Sequence, residues 1–514
     1  MRPLTTSVYT YSNLVEGGFL YVDKTAAIHQ FLKPAFCQYF LSRPRRFGKS
    51  LLVSTLKSIF EGRRELFKGL FLDTSDYDWP VYPVIHLDLG AMTVDTTVEL
   101  QRKLNYELED NATRLGLSLA REDAAERFQE LIQALAARNG RVVILIDEYD
   151  KPILGHLGKS SVLAIQEQLK KFYSVVKKTE ALQRFALITG VSKFSKVSIF
   201  SDLNNLTDLT MNAQAATLLG YTQTELEANF PEYLEALATA TGRTRAQTLE
   251  AMRAWYNGYR FEADAETVYN PVSVMKCFLE MKFKNYWFET GTPGFLIQLL
   301  KRQPINLGDL SAGEELFSTY DPANLEPLAL LVQTGYLTIK SAESFGDSTS
   351  YRLGYPNKEI EHSFSHWLAQ GFSELPSADM TPLLHRLVAA LRESRLEDLL
   401  DTLRLFFAKI PNTITLDHEK YYQTIFFTVF KLIGAVVEAE VSTNIGRIDA
   451  IVKTATDIFV FEFKLDGTAR RAMEQIRKMR YFEPYLDDGR RVTLVGAAFS
   501  KKTRNLGKFL VEAP

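Results

Sequence analysis

The stretch "LSRPRRFGKSLLVSTL", residues 41–56, is an apolar lead, a basic loop closed by Gly48-Lys49-Ser50, and a helix-forming tail. A strand, a Gly-Lys-Ser turn and a helix together make a phosphate-wrapping loop. Backbone amides gather at the helix N-terminus, a lysine reaches the β- and γ-phosphates, and a hydroxyl faces magnesium. Two details disturb the pattern. Arg43 stands where the first glycine of such a loop is expected, and Pro44 removes an amide. Gly48 still permits the tight turn, Lys49 supplies the cation and Ser50 the magnesium ligand.

The second half of a nucleotide site lies about a hundred residues on. "VVILIDEYDKP" (142–152) opens on an unusually apolar strand, as expected for one covered on both faces, with Asp147 and Glu148 at its tip. Acids at the C-terminal tip of a buried parallel strand sit where α/β sheets bind ligands. Asp147 is expected to hold magnesium through water, and Glu148 to polarise the water that attacks the γ-phosphate. The next strand, "RFALITG" (184–190), ends at Thr189, with Ser192 just beyond; Thr189 is placed to sense the γ-phosphate. Arg45 and Arg46 have two readings, as contacts to phosphate or a neighbouring subunit's nucleotide, or as solvated loop charges. Asp23 and Lys24 read either as neighbours of the nucleotide base or as a helix cap and a surface lysine.

Between these motifs the chain alternates short strands (38–43, 84–89, 141–147, 184–190) with long helical stretches, which implies a parallel sheet with crossover helices. Residues 211–365 turn mostly helical, punctuated by "WYNGYRF" (255–261) and "YNPVSV" (269–274). Near their end, 330–340 and 350–360 read as a two-stranded wing after a helix. Residues 366–408 read as a helical linker. The last hundred residues run helix (417–433), strands at 435–441, 446–453 and 457–464, helix (467–485) and a final strand (491–499), an αβββαβ order. At ~150 residues per domain a chain of 514 holds about three domains. The expected division is 1–210, 211–365, 366–408 and 409–514.

The C-terminal unit carries its own chemistry. Asp449 falls on its second strand and Glu462-x-Lys464 at the end of its third. Residues i and i+2 on a strand share a face, so Glu462 and Lys464 point the same way. A hairpin around 454–456 brings Asp449 beside them. Two carboxylates a few ångströms apart suit Mg²⁺ or Mn²⁺, and a lysine beside them positions water or stabilises a crowded phosphate. Glu419 is a further acidic ligand candidate, and Gln475 is placed to support the lysine or the attacking water.

Overall charge is near balance, with 60 basic and 62 acidic residues, so composition alone argues for neither a nucleic-acid nor a membrane partner. The local balance differs: from Lys464 to Lys508 there are 12 basic residues against 5 acidic ones, a surface suited to a phosphate backbone. Two cysteines, Cys37 and Cys277, make no disulfide framework and fit a reducing cytosol. The N-terminal residues lack the apolar core of a signal peptide, and no stretch approaches a membrane helix. A cytoplasmic protein is expected.

With these residues in view, the chain resembles proteins that join an AAA-ATPase-like N-terminal domain to a C-terminal PD-(D/E)xK nuclease-superfamily domain. The resemblance rests on "YVDKT", "RPRRFGKS", "ILIDEYDKP", "ITGVSKFSKVSIFSDLNNL", "WYNGY", "YNPVSV", "QTGYLTI", "YPNKE", "GRIDAIV", "EFK" and "EQI", from residue 21 to 476. It implies a P-loop NTPase sheet with a helical lid and winged-helix-like region, then a restriction-endonuclease-like domain. It implies that Lys49, Ser50, Asp147 and Glu148 handle Mg-ATP, and that Asp449, Glu462 and Lys464 form a nuclease site. Ile448 stands where the superfamily's name implies a proline. Two functions follow as expectations: an ATP-regulated, metal-dependent nuclease acting on DNA or RNA, with DNA the favoured partner and a place in defence against or processing of foreign DNA, and an ATP-driven switch whose C-terminal domain binds nucleic acid without cutting. A homo-oligomer is compatible with either.

Overall fold

The computed structural model describes residues 1–193, 205–287, 294–303, 305, 310–318, 325–346, 348–373, 375–409, 428–429, 440–444, 448–454, 456–480, 482–500, 502–503 and 505–514, with the backbone alone at 294–295, 318, 345, 372, 377, 392, 440–444 and 448–450. The chain divides into two units, one of residues 1–286 and 312–357, the other of 287–311 and 358–514.

The first unit is built on a five-stranded sheet in the order β2-β3-β4-β1-β5. Its strands are β1 (Cys37–Ser42), β2 (Val84–Asp88), β3 (Val142–Asp147), β4 (Gln183–Gly190) and the short β5 (Thr207–Asp208). Every pairing is parallel. β1, β3 and β4 are buried along their whole length, which is why their apolar runs lack alternation. Burial of each large aliphatic side chain there contributes about 1.5–3 kcal/mol. Helices Lys49–Phe60, Thr97–Arg114, Ala124–Asn139 and Val162–Lys178 make the crossovers. The order seats β4 between β1 and β3, so the phosphate-loop strand and the acidic strand flank one shared neighbour.

The helices of 223–280 start where the sequence says they should. Thr222 with Glu225 and Thr244 with Gln247 form reciprocal capping boxes, and Asn270 caps a helix that has Pro271 in its first turn. Their apolar faces meet in a core of Leu226, Phe230, Leu234, Met252, Cys277 and Phe278. The wing is an antiparallel hairpin of β7 (Thr338–Phe345) and β8 (Ser348–Gly354), after the helix Pro327–Gln333 and with the short β6 (Ser311–Gly313) beside β8. Tyr259, Tyr336 and Leu337 of the "NGY" and "QTGYLT" motifs are buried, so these motifs are internal packing.

The second unit carries helices Lys358–Ser373, Ser377–Arg392 and Leu396–Ala408 ahead of a sheet in the order β13-β12-β11-β10-β9. β9 (Glu440–Asn444), β10 (Ile448–Lys453) and β11 (Asp457–Leu465) form an antiparallel meander. The helix Ala469–Met479 then crosses over to β12 (Arg491–Ser500), parallel to β11. Ile458, Val460 and Leu494 from the sheet pack on Met473 and Ile476 of that helix. Gly496 permits the approach, since a Cβ there would lie 2.7 Å from Ala469 O and Met473 N. One expectation is corrected: 491–499 is not the final strand. β13 (Asn505–Glu512) pairs antiparallel with it at the sheet edge. The expected helix at 417–433 lies outside the described residues except 428–429, as does most of the strand expected at 435–441. Among the described residues, no helix is long and apolar enough to cross a membrane.

Candidate functional site

Two clusters stand at strand ends. In the first, Gly48 takes the left-handed conformation, φ 91°, and Lys49 opens the helix. A residue with a Cβ adopts that backbone only with strain, so the turn into the helix depends on glycine. Lys49 is buried, and its Nζ donates to Arg43 O (2.9 Å) and Pro44 O (3.0 Å). Burial lowers its pKa, against the pull of Asp147, Asp150 and Glu148. Ser50 is half-buried in the first helical turn, Arg45 is exposed, and Arg46 donates to Tyr286 O.

Arg43 settles the departure from the glycine pattern. It is 1% exposed, and its guanidinium donates to Ser42 O (2.8 Å), Thr210 O (2.8 Å) and Ala215 O (2.9 Å). It also lies 4.2 Å from the centroid of Phe261. Burial pulls its pKa down to about 9, so it stays charged at neutrality. Phe47 packs edge-on against Tyr259 and Phe261. The loop is therefore braced from within by an arginine and an aromatic side chain.

Opposite stand the acids. Asp147 is 2% exposed; its Oδ1 accepts from Glu148 N (3.0 Å) and from the Thr189 hydroxyl (2.5 Å). Thr189, placed by sequence as a sensor, is fully buried and bonded to this acid. Glu148 is half-buried at φ 50°, and burial raises its carboxyl pKa. Asp150, to which sequence reading gave no role, is 1% exposed, and its Oδ2 accepts from Val191 N (3.1 Å), Ser192 N (2.7 Å) and Ser192 Oγ (2.9 Å). Its place in "DEYD", three residues after Asp147, was the available signal. Asp23 is not the cap: Lys24 holds the N-cap position of the helix Thr25–Leu32, and Asp23 just before it accepts from Thr25 N (2.8 Å) and Phe71 N (2.8 Å). Lys24 is no surface lysine: its Nζ bonds both Glu225 oxygens at 2.7 Å and Thr217 O at 2.9 Å.

The second cluster is built on β11. Ile458, Val460, Glu462 and Lys464 step along one face, the one the helix Ala469–Met479 covers. Phe459, Phe461 and Phe463 occupy the other, with the last two rings stacked at 5.9 Å. Glu462 is 0% exposed, and its Oε1 accepts from Lys464 Nζ at 2.7 Å. Lys464 also donates to Gln475 Oε1 on the helix. Glu462 Oε2 is buried with no hydrogen-bond partner among the described residues. A desolvated carboxylate oxygen costs energy unless something meets it, and as an oxygen donor it fits a hard divalent cation. The register sets position 449 directly opposite Glu462, the spacing at which cross-strand neighbours share a face. Glu419 lies outside the described residues. Among those described, no group of three or more His, Cys, Asp or Glu side chains forms a metal cage.

The two clusters define a class: a P-loop nucleotide-binding unit joined to a nuclease-like sheet. Known proteins agree. The family described as "Predicted AAA-ATPase" matches residues 5–200, and the "PD-(D/E)XK nuclease superfamily" matches residues 417–509. An "Uncharacterized protein in vnfD 5'region" of Azotobacter chroococcum mcd 1 is 37% identical, over 100% of this chain and 99% of that protein. The chain belongs to this family of AAA-ATPase-like proteins with a C-terminal PD-(D/E)XK domain. Among solved structures, the Aeropyrum pernix ORC1 protein in complex with DNA overlaps 67% of this chain and 93% of its own, at 12% identity and TM-score 0.26. The ORC2 protein of Aeropyrum pernix, in ADPNP–ADP complexes, overlaps 69% and 91%, at 12% identity and TM-score 0.29. Similarity that loose carries no functional weight.

Proposed function

We propose that this protein is an ATP-regulated, metal-dependent nuclease acting on DNA or RNA. The observation that carries the reading is the Glu462 carboxylate, 0% exposed, with one oxygen on Lys464 at 2.7 Å and the other unpartnered among the described residues. Asp449 and Glu462, with Glu419 as a further candidate, hold Mg²⁺ or Mn²⁺. The bound ion supplies Lewis-acid activation of a phosphodiester and its attacking water. Lys464 positions that water and offsets the charge that grows on the phosphate, and Gln475 fixes the lysine's approach. The basic excess of 464–508 holds the backbone of the substrate.

At the other site, amides at the start of helix Lys49–Phe60 and the Lys49 ammonium bind the ATP phosphates, with Arg45 and Arg46 as outer contacts. Ser50 and Asp147 bind Mg²⁺, which neutralises phosphate charge. Glu148 orients the hydrolytic water, and Thr189 fixes Asp147 through its 2.5 Å bond. ATP turnover sets whether the nuclease acts.

The test is incubation of the full chain with plasmid, linear and single-stranded DNA and with RNA, with Mg²⁺ or Mn²⁺, with and without ATP. Metal-dependent cleavage lost in Asp449→Ala supports the reading. Cleavage that survives Asp449→Ala refutes the assignment, and binding without cleavage in every condition favours an ATP-driven switch.

A further inference from the structure

We propose that Asp150 is a positioning residue for ATP hydrolysis, the latch that holds the β4 exit loop so that Thr189 stays on Asp147. The inference rests on the nucleotide reading above and adds a residue to it.

Three observations carry it. First, Asp150 occupies the N-cap of the short helix Lys151–Leu154 but makes no cap bond there, although aspartate is a preferred cap. Its side chain crosses to the loop leaving β4 instead, where one oxygen takes three donors from Val191 and Ser192 at 2.7–3.1 Å. Second, its partner oxygen Oδ1 is buried without a partner among the described residues. A buried, half-satisfied carboxylate is costly, so a merely convenient tie between loops is a poor reason for it. Third, the adjoining residues tie the same two chain segments together. Tyr149 N donates to Thr189 O (3.0 Å), and Tyr149 Oη donates to Ser192 O (2.9 Å). Gly190 closes the contact: a Cβ there would stand 2.6 Å from the Tyr149 ring and 2.8 Å from Asp150 Oδ1.

The consequence is mechanical. Thr189 is two residues before Val191, and its hydroxyl reaches Asp147 Oδ1 at 2.5 Å. Releasing the loop at Val191–Ser192 frees Thr189 and lets the Asp147 carboxylate turn. Phosphate binding depends on the other side of the site, Gly48 and Lys49, so the latch acts on turnover more than on binding. A positional error of about 1 Å at such a site costs on the order of 10²-fold in rate.

Steady-state ATP hydrolysis by the full chain tests this. Asp150→Ala is expected to lower kcat by about 30- to 100-fold with KM for Mg-ATP within about threefold of wild type. Asp150→Asn keeps an acceptor oxygen for the three donors and is expected to recover kcat to within about fivefold. Ser192→Ala removes one of the three and is expected to cost about three- to tenfold in kcat alone. The inference is overturned if Asp150→Ala matches wild type, if the loss falls in KM, or if folded Asp150→Asn is no better than Asp150→Ala. Should Asp150→Ala fail to fold, Ser192→Ala decides: a kcat loss at constant KM supports the latch and a wild-type rate sinks it. Wild-type protein that turns over no ATP refutes the nucleotide reading itself, a result distinct from any of these.

Discussion

The two sites solve opposite electrostatic problems. At the nucleotide site charges are crowded together: Asp147, Asp150 and Glu148 all act on the buried ammonium of Lys49, with Arg45 opposing them, and Asp88 lies in register beside Asp147. Order there comes from hydrogen bonds to the backbone and to Thr189 and Ser192, so Asp147 and Asp150 are fixed whether or not a cation is near. At the C-terminal site one carboxylate meets one ammonium at 2.7 Å, and the glutamine of a crossover helix steadies the pair. The first arrangement is rigid by many small ties. The second depends on two or three side chains, so single substitutions at it should bite harder.

That contrast orders the expected effects. The largest belongs to the C-terminal site. Glu462→Gln is expected to reduce cleavage by ~10³-fold or more, since it removes a ligand charge at the proposed metal, while ATP turnover stays within a factor of about two. Parallel loss of both activities would break the separation between the sites. Next is Lys49→Ala, expected to lower ATP turnover by ~10²-fold or more through the lost phosphate contact, measured by phosphate release. If ATP governs the nuclease, the same variant cleaves at a rate that no longer responds to ATP. A full ATP response in Lys49→Ala would detach the two halves of the proposal.

Arg43 sharpens the comparison in a third way, because it separates bracing from binding. Arg43→Gly restores the expected glycine yet strands the carbonyls of Thr210 and Ala215 and uncovers Phe261. It is expected to destabilise the chain by ~3 kcal/mol, seen as a fall in Tm of several degrees. A gain in ATP affinity with unchanged Tm would make Arg43 a misfit in the loop and undo its role as a strut.

Arg43 also marks where the sequence stops being legible. Gly48-Lys49-Ser50, the apolar strand ending in Asp147, and the order of strands around "EFK" could be read because each is a local pattern with one physical solution. The burial of Arg43 is not local: its acceptors at Thr210 and Ala215 lie more than 160 residues away. Alone, an arginine between a serine and a proline looks like surface charge. Asp150 escaped for the same reason, since its donors sit in the loop that leaves β4. β13 was missed on different grounds. "NLGKFLVE" pairs on one side only, most of it is half-buried or exposed, and its edge position removes the apolar signature that betrayed β11 and β12. Lys24 shows the limit once more, because only the fold brings Glu225 to it.

The smallest effect probes the crowding of acids itself. Glu107, half-buried on the helix Thr97–Arg114, has its pKa raised to about 7, first by burial and then by Asp88 and Asp110. Its folded-state pKa therefore lies above that of the unfolded chain. Between about pH 4.5 and 7 the folded protein keeps a proton that the unfolded chain releases, so stability falls as pH rises through that window and levels off above it. The group is partly open to solvent, which keeps the effect small. Glu107→Gln removes the penalty: its Tm is expected to exceed wild type by about one to two degrees at pH 8 and to match it at pH 4.5. A Tm difference that does not change with pH would mean that Glu107 matters through packing alone. The negative charge gathered at the tips of β2 and β3 would then be well enough solvated to leave its neighbours untouched, and the contrast with the paired charges of Glu462 and Lys464 would shrink to one of geometry.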